Sequence, residues 1–188
     1  MSLRTSVHTG VAISRIFGEF MILQIDDWKF DIDMERTMAY SANEAAEHCD
    51  CAYCRNFYAA VDREYPALRP YLAQFGLNID APDEQMPYDF QGEMYYDSVY
   101  MVSGRILNMG RMPLRVGDVL ISPKAAENVQ INHCCPKPCF ALDVGTVVLP
   151  WVLDEPMKDT VSPANFPSFL KKMWQRFLGK APKDSVNS

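Results

Sequence analysis

Alternating hydrophobic and polar residues predict a β-hairpin near the start of the chain. Residues 20–25 (FMILQI) and 28–33 (WKFDID) flank Asp26 and Asp27, a pair that suits a tight turn. In the second segment large apolar residues alternate with Lys and Asp. One face of that strand is therefore expected to be buried and the other to face water.

A helical pattern follows from Asp50 to Gly76. Residues 34–50 are expected to form a connection, with Asp50 as the N-cap of the first helix. Pro66 should end that helix and start a second one, which Gly76 then terminates. The apolar positions that recur at helical spacing are Cys54, Phe57, Val61 and Leu68.

The pattern then becomes strand-like. Residues 78–92 contain two prolines among acidic and amide side chains, which predicts a surface crossing. Strands rich in aromatic and β-branched residues are expected at 94–102, 116–121 and 140–149, with a weaker candidate at 129–131. The predicted class is α+β: an antiparallel, curled sheet with a helical pair on one side.

An amphipathic helix is predicted near the C-terminus. Its polar face carries lysine and arginine, and Gly179 ends it. We expect its apolar face to dock on the sheet or on a second copy of the chain, giving a homo-oligomer. The alternatives are an anionic membrane or the groove of a partner. The apolar stripe consists of Phe166, Phe169, Leu170, Met173, Trp174, Phe177 and Leu178.

One folded domain is expected over residues 19–180. Residues 1–18 lack clear periodicity and are interpreted as a poorly ordered leader, with Met21 as an alternative start, and residues 181–188 as a polar tail. Arg15 interrupts the apolar stretch of the leader, and no small-residue cleavage site follows it. A secretion signal is therefore not indicated, and a cytoplasmic protein is expected.

The composition of the chain argues against two classes of partner, nucleic acids and membranes. The chain has 188 residues, of which 48% are hydrophobic and 22% charged, as in a globular domain. Lysine and arginine total 18 against 24 acidic residues, a net charge of −6. Nucleic-acid binders neutralise phosphates with basic residues, so we expect no nucleic-acid partner. No apolar run approaches the ~18 residues of a membrane span, and a membrane partner is not expected.

The six cysteines form two clusters, each beginning with a histidine. The first spans residues 48–54 (HCDCAYC) and the second residues 133–139 (HCCPKPC). A disulfide framework is disfavoured without a secretion signal. The clusters therefore indicate metal binding or thiol chemistry, unless the thiols are simply buried apolar side chains.

One shared zinc ion is the favoured interpretation. Cys51 and Cys54 are three residues apart on a helical first turn, so both thiols share one face, and a helix N-terminus favours the thiolate. Zinc takes four such donors in a tetrahedron, so the second cluster should complete the shell across a turn stiffened by two prolines. His48 and His133 are alternative ligands. The predicted metal-ligating set is Cys49, Cys51, Cys54, Cys135 and Cys139.

Three resemblances accompany these motifs. Residues 49–55 (CDCAYCR) resemble the C-x-C-x-x-C-R element of glutathione-dependent formaldehyde-activating enzymes, which implies zinc held by thiols. The earlier C-x-C and later C-x-x-C of those enzymes are absent. Cys51–Cys54 is similar to the redox C-x-x-C of thioredoxin-like proteins, which implies disulfide exchange. The stretch Met34–Glu84 resembles small bacterial proteins of unknown function and implies no activity.

The sequence thus predicts a zinc-stabilised cytosolic module that works by binding a protein or small molecule. One alternative is a thiol redox protein that uses Cys51 and Cys54. Another is a zinc-dependent hydrolase, in which Glu44, Glu47 or Asp50 would act as the general base for a zinc-bound water.

Overall fold

One antiparallel sheet organises the described part of the chain. A computed structural model describes residues 11–15, 20–46, 49–90 and 93–157. Within these ranges eight strands form the sheet and three α-helices accompany it. The predicted α+β class with an antiparallel sheet is confirmed, whereas curling of the sheet stays a prediction.

Along the described chain three strands come first, three α-helices follow, and five strands complete the order. Across the sheet the strand order is β1-β2-β3-β5-β8-β7-β6, and β4 pairs with β5 outside that path. The strands are β1 (Val11–Arg15), β2 (Phe20–Ile25), β3 (Trp28–Asp33), β4 (Glu84–Phe90), β5 (Glu93–Asn108), β6 (Leu114–Val116), β7 (Val119–Ala125) and β8 (Cys139–Leu149), and the helices are α1 (Met34–Ala46), α2 (Ala52–Glu64) and α3 (Leu68–Ala73).

The predicted hairpin is confirmed as β2 and β3. Ile25 pairs with Trp28 across the turn, and Asp26 takes a positive φ of 52° there. The apolar side chains of β3 are buried as predicted, but Asp33 at its end is buried too, at 1% exposure. Its Oδ1 accepts the backbone N–H of Arg36 at 3.0 Å, the bond of an N-cap residue to the third helical position.

The expected connection at 34–50 is wrong, because α1 occupies most of it. Asp33 caps the helix, and Thr37 Oγ1 donates to the Asp33 carbonyl at 2.7 Å. The buried face of α1 includes the polar residues Thr37 and Ser41 beside Tyr40. A helix that buries hydroxyl groups shows no apolar stripe, so periodicity alone misses it.

The predicted helical pair is present with a shifted start. Cys51, not Asp50, is the N-cap residue of α2. Pro66 lies in the turn between α2 and α3, so it ends the first helix as expected, but α3 begins at Leu68 and not at Pro66. Gly76 has a positive φ of 79°, and the N–H of Leu77 donates to the Leu72 carbonyl at 3.3 Å. This is the Schellman arrangement, which confirms Gly76 as the terminating glycine.

Two strand predictions need correction. The crossing at 78–92 contains β4, whose Pro87 is tolerated because β4 pairs only with β5 among the described strands. The segment 116–121 is not one strand: residues 117–118 form the turn between β6 and β7, where Gly117 takes a φ of 60°, and residues 119–121 belong to β7. The weak candidate at 129–131 is irregular, whereas 94–102 and 140–149 lie within β5 and β8.

Three of the sequence predictions concern the two ends of the chain: the leader, the C-terminal helix and the domain limits. β1 lies within the predicted leader, and its pairing with β2 adds five residues to the sheet. The helix predicted at 166–178 lies outside the described residues, and the domain limits stay predictions. No helix in the described ranges is long and apolar enough to cross a membrane.

Two hydrophobic cores lie on opposite faces of β5. The main core contains Tyr96, Tyr100 and Val102 of β5 together with Phe57 of α2 and Phe30 of β3. Val99 and Met101, which alternate with these residues on β5, point the other way. That other face carries what we call the second core, formed by Tyr40, Val99, Met101, Cys135 and Ala141.

A buried carboxyl group shares the side of the sheet that carries the second core. Asp97 of β5 is 6% exposed and comes so close to Gly145 that its Oδ1 would lie 2.8 Å from an added Cβ. Asp143 of β8, which forms an ion pair with Lys124 of β7, lies nearby. Burial and the Asp143 charge raise the pKa of Asp97 to about 7, although Lys124 opposes the shift.

Replacement of Asp97 by Asn should stabilise the fold at alkaline pH. The native carboxyl group retains its proton up to about pH 7, whereas the unfolded one loses it near pH 4. Asp97 should therefore make wild-type stability fall between pH 4 and pH 7, by at most about 4 kcal/mol, and this contribution should be lost in Asp97→Asn. Urea unfolding at pH 4.5 and pH 8 tests this, with exposed Asp118→Asn as the control. Equal pH profiles for wild type and Asp97→Asn would contradict it.

Candidate metal centre

Three thiols converge where the chain enters α2. The sulfur atoms of Cys49, Cys51 and Cys54 all lie within 4.8 Å of one another. Cys49 and Cys51 are exposed, and Cys54 is buried. We call these three residues the thiol triad. Cys51 is the N-cap and Cys54 lies in the first helical turn, so both thiols share one side of the helix start, as the sequence predicts.

A buried amide fixes the position of that helix start. Asn56 Nδ2 donates to the Tyr96 hydroxyl and to the Pro150 carbonyl, each at 3.1 Å. Asn56 Oδ1 accepts the N–H of Val152 at 2.7 Å. The Tyr96 hydroxyl in turn donates to the Tyr53 carbonyl at 2.9 Å. The first turn of α2 is therefore attached to β5 and to the segment after β8.

The two helical thiols differ in acidity. Burial raises the pKa of Cys51, but hydrogen bonds from the Cys54 backbone and from the Cys49 and Cys54 thiols outweigh it, so the pKa is lowered overall. The pKa of Cys54 is raised, first by burial and then by Cys51 and Cys49. Cys51 is thus the first of this pair to become a thiolate.

Ion pairs and aromatic rings flank the triad. Arg55 lies between Asp50, with 3.6 Å from Nε to Oδ1, and Glu155, with which it also pairs. The rings of Tyr53 and Trp151 meet edge to face at 5.8 Å. One side of the triad is therefore charged, whereas the rings brace the helix start against the segment after β8.

The spacing of the triad suits a soft or borderline metal ion. Zinc binds thiolate sulfur at about 2.3 Å, which places two sulfurs of a tetrahedron about 3.8 Å apart. The three sulfur atoms, which lie within 4.8 Å of one another, need only small side-chain movements to reach that separation. Three thiolates can thus hold one metal ion here without rearrangement of the backbone.

The second cysteine cluster lies elsewhere in the fold. Cys135 and Cys139 belong to the second core, on the face of β5 opposite Tyr96. Cys139 pairs with Ser103 of β5, whereas the first turn of α2 contacts β5 at Tyr96, whose hydroxyl donates to the Tyr53 carbonyl. From Tyr96 to Ser103 the strand runs roughly 23 Å at 3.3 Å per residue. The structure thus brings the thiol triad together and places Cys135 and Cys139 away from it.

The other predicted site residues are scattered. Glu44, His133 and Cys134 line a cavity of about 400 Å³ together with Ile131 and Asn132. The His133 Nδ1 is buried there and has no hydrogen-bond partner among the described residues. Asp50 is adjacent to the triad but pairs with Arg55. His48 and Glu47 lie outside the described residues.

Sequence reasoning missed the residues that position the triad. Asn56 and Tyr96 are buried and bonded to each other, yet neither belongs to a recognisable motif. The available signal was an asparagine inside an otherwise good helix, where it is unfavourable unless its amide is used.

Comparisons with known proteins do not assign a function to this site. No protein-family model matches the chain, and comparisons with curated proteins and with solved structures find no significant match. The resemblances at residues 49–55 and 34–84 therefore stay predictions.

Replacement of Asn56 by Ala should weaken both the fold and the triad. Three hydrogen bonds are lost, among them the bond that satisfies the part-buried N–H of Val152, which costs about 2–4 kcal/mol in total. The helix start then loses its attachment, so affinity of the triad for Co²⁺ should also fall. Urea unfolding and Co²⁺ titration measure the two effects. Exposed Asn128→Ala is the control, and wild-type behaviour of Asn56→Ala in both assays would contradict the prediction.

Proposed function

We propose that this chain is a zinc-binding module in which the thiol triad holds one zinc ion. The proposal rests on one observation: three cysteine sulfurs from six residues lie within 4.8 Å of one another at a helix start. Thiolate sulfur and a compact tetrahedral arrangement are what zinc selects in proteins. That geometry alone allows the triad to bind a metal ion.

Charge supports a bound cation at the triad. Burial and two neighbouring thiols already raise the pKa of Cys54, so three thiolates in this space repel one another. A divalent ion removes that repulsion and allows all three thiols to ionise. In the proposal the fourth ligand comes from His48, which the sequence places beside Cys49.

The proposed role of the metal is structural. Zinc would join the segment before α2 to its first turn, and Asn56 joins that turn to β5. Metal-binding free energy would then stabilise the fold itself. The module would work by binding a partner in a reducing compartment, where its thiols stay available to the metal.

A thiol redox activity is the second candidate. It is favoured by the contrast between Cys51, exposed and with a lowered pKa, and Cys54, buried and with a raised pKa. An accessible thiolate followed by a buried thiol three residues later suits attack on a disulfide and its resolution. The hydrolase alternative has less support, since Glu44 lines the cavity beside His133 and Cys134, and Asp50 pairs with Arg55.

Purified protein should contain about one zinc ion per chain, and Cys54→Ser should lose it. Removal of one of three thiolates should lower the free energy of unfolding by several kcal/mol, because zinc binding and folding are coupled. Elemental analysis and urea unfolding, with and without chelator, measure both effects. Cys134→Ser, an exposed cysteine outside the triad, is the control. A Cys54→Ser variant that binds zinc and unfolds like wild type would contradict the proposal.

Two further measurements separate metal binding from redox chemistry. Co²⁺ in place of zinc should give the absorption of a tetrahedral thiolate site, and His48→Ala should change that spectrum if His48 is the fourth ligand. The triad should resist alkylation until chelator is added. Metal-free protein that cycles between a Cys51–Cys54 dithiol and a disulfide would instead support the redox candidate.

A further inference from the structure

The second core contains a pair of thiols, Cys135 and Cys139, that is separate from the thiol triad. Cys135 and Cys139 interact through their side chains and pack with Tyr40, Val99 and Met101. The group of three or more metal-ligating side chains found in the described residues is the thiol triad, and neither of these cysteines belongs to it. Two adjacent thiols that form no metal-ligating group with a third side chain among the described residues suit a disulfide better than a metal ion.

The loop between these cysteines is anchored to β5. Ser103 Oγ donates to the Pro136 carbonyl at 3.3 Å, and the N–H of Gly104 donates to the Pro138 carbonyl at 2.7 Å. Cys139 is also the first residue of β8 and pairs with Ser103. Both cysteines are therefore held by backbone contacts on either side of a loop of three residues.

The two thiols differ in access to solvent. Cys135 is buried, at 5% exposure, whereas Cys139 is half-buried. Burial raises the pKa of both thiols, so the protonated form predominates at neutral pH. An accessible thiol beside a buried one provides separate groups for attack and for resolution.

We propose that Cys139 and Cys135 form a dithiol–disulfide exchange site for low-molecular-weight disulfides. The Cys139 thiolate attacks the small disulfide, whose sulfur–sulfur bond breaks, and one small thiolate leaves and takes up a proton. The Cys135 thiolate then attacks the Cys139 sulfur and releases the second small thiol. The two protein thiols lose two electrons, and one small disulfide is reduced to two thiols. This inference does not depend on zinc at the triad.

Tryptic digestion places the two cysteine clusters in different peptides, which mass spectrometry distinguishes. Trypsin places the triad in peptide 37–55 and the second cluster in peptide 125–158, because the bond between Lys137 and Pro138 resists cleavage. In Cys134→Ser the second peptide retains only Cys135 and Cys139. A loss of two hydrogens from that peptide therefore identifies a disulfide between them.

The test treats folded Cys134→Ser with bis(2-hydroxyethyl) disulfide at pH 8. We expect peptide 125–158 to lose two hydrogens and to carry no adduct. The further change Cys135→Ser should trap one mercaptoethanol adduct on Cys139. The matched change Cys139→Ser should leave Cys135 to react at least about tenfold more slowly, because it is buried. Circular dichroism confirms that each variant is folded, and wild type is mapped by fragmentation as an independent measurement.

Three results would overturn the inference. Peptide 125–158 could carry a separate adduct on each cysteine, it could remain unmodified at a concentration that fully modifies Cys134 in wild type, or it could be cross-linked to peptide 37–55. Zinc content, measured on the same samples, separates failure of this inference from failure of the proposed metal site.

Discussion

The pairing of β5 with three other strands holds the described fold together. β8 covers one edge of β5, while β4 and β3 take successive parts of the other edge. Between β4 and β3 that edge is completed by side chains: the N–H of Met101 donates to Asp83 Oδ2 at 2.8 Å, and that of Ser103 to Thr37 Oγ1 at 3.0 Å. Because each face of β5 carries its own core, the strand also separates the side chains that pack in the main core from those that pack in the second core.

This separation controls the chemistry of the cysteines. Tyr96 faces the main core and bonds to the start of α2, so the thiol triad forms at that end of the strand. Cys139 lies opposite Ser103 at the other end and on the other face. Two sequence motifs with nearly the same composition therefore enter different environments, one at an exposed helix start and the other within an apolar cluster.

Local signals were sufficient for the elements that bury one regular face. The hairpin of β2 and β3, the break at Pro66 and the cap at Gly76 follow from side-chain alternation and backbone preference, and all three are observed. The first turn of α2 was also predictable, because a three-residue spacing puts Cys51 and Cys54 on one side of a helix. These features depend on neighbours in sequence.

The features that sequence reasoning missed depend on distant partners. α1 is stabilised by the Asp33 cap and by the contact of Thr37 with Ser103, which lies 66 residues away. β4 contains a proline and becomes a strand only because β5 supplies its partner. The expectation of one shared metal site assumed that two cysteine clusters meet, and their positions on β5 cannot be read from spacing.

The environments of the two clusters also favour different occupants. At the triad, hydrogen bonds outweigh burial at Cys51 and lower its pKa, so charge can develop there and a cation can offset it. At Cys135 burial raises the pKa, and the neighbouring carboxylates of Asp83 and Glu44 oppose ionisation further. A site that disfavours thiolates suits a neutral dithiol or a neutral disulfide, since neither form places a charge in the second core. The same residue type thus favours a charged form at the start of α2 and a neutral form in the second core.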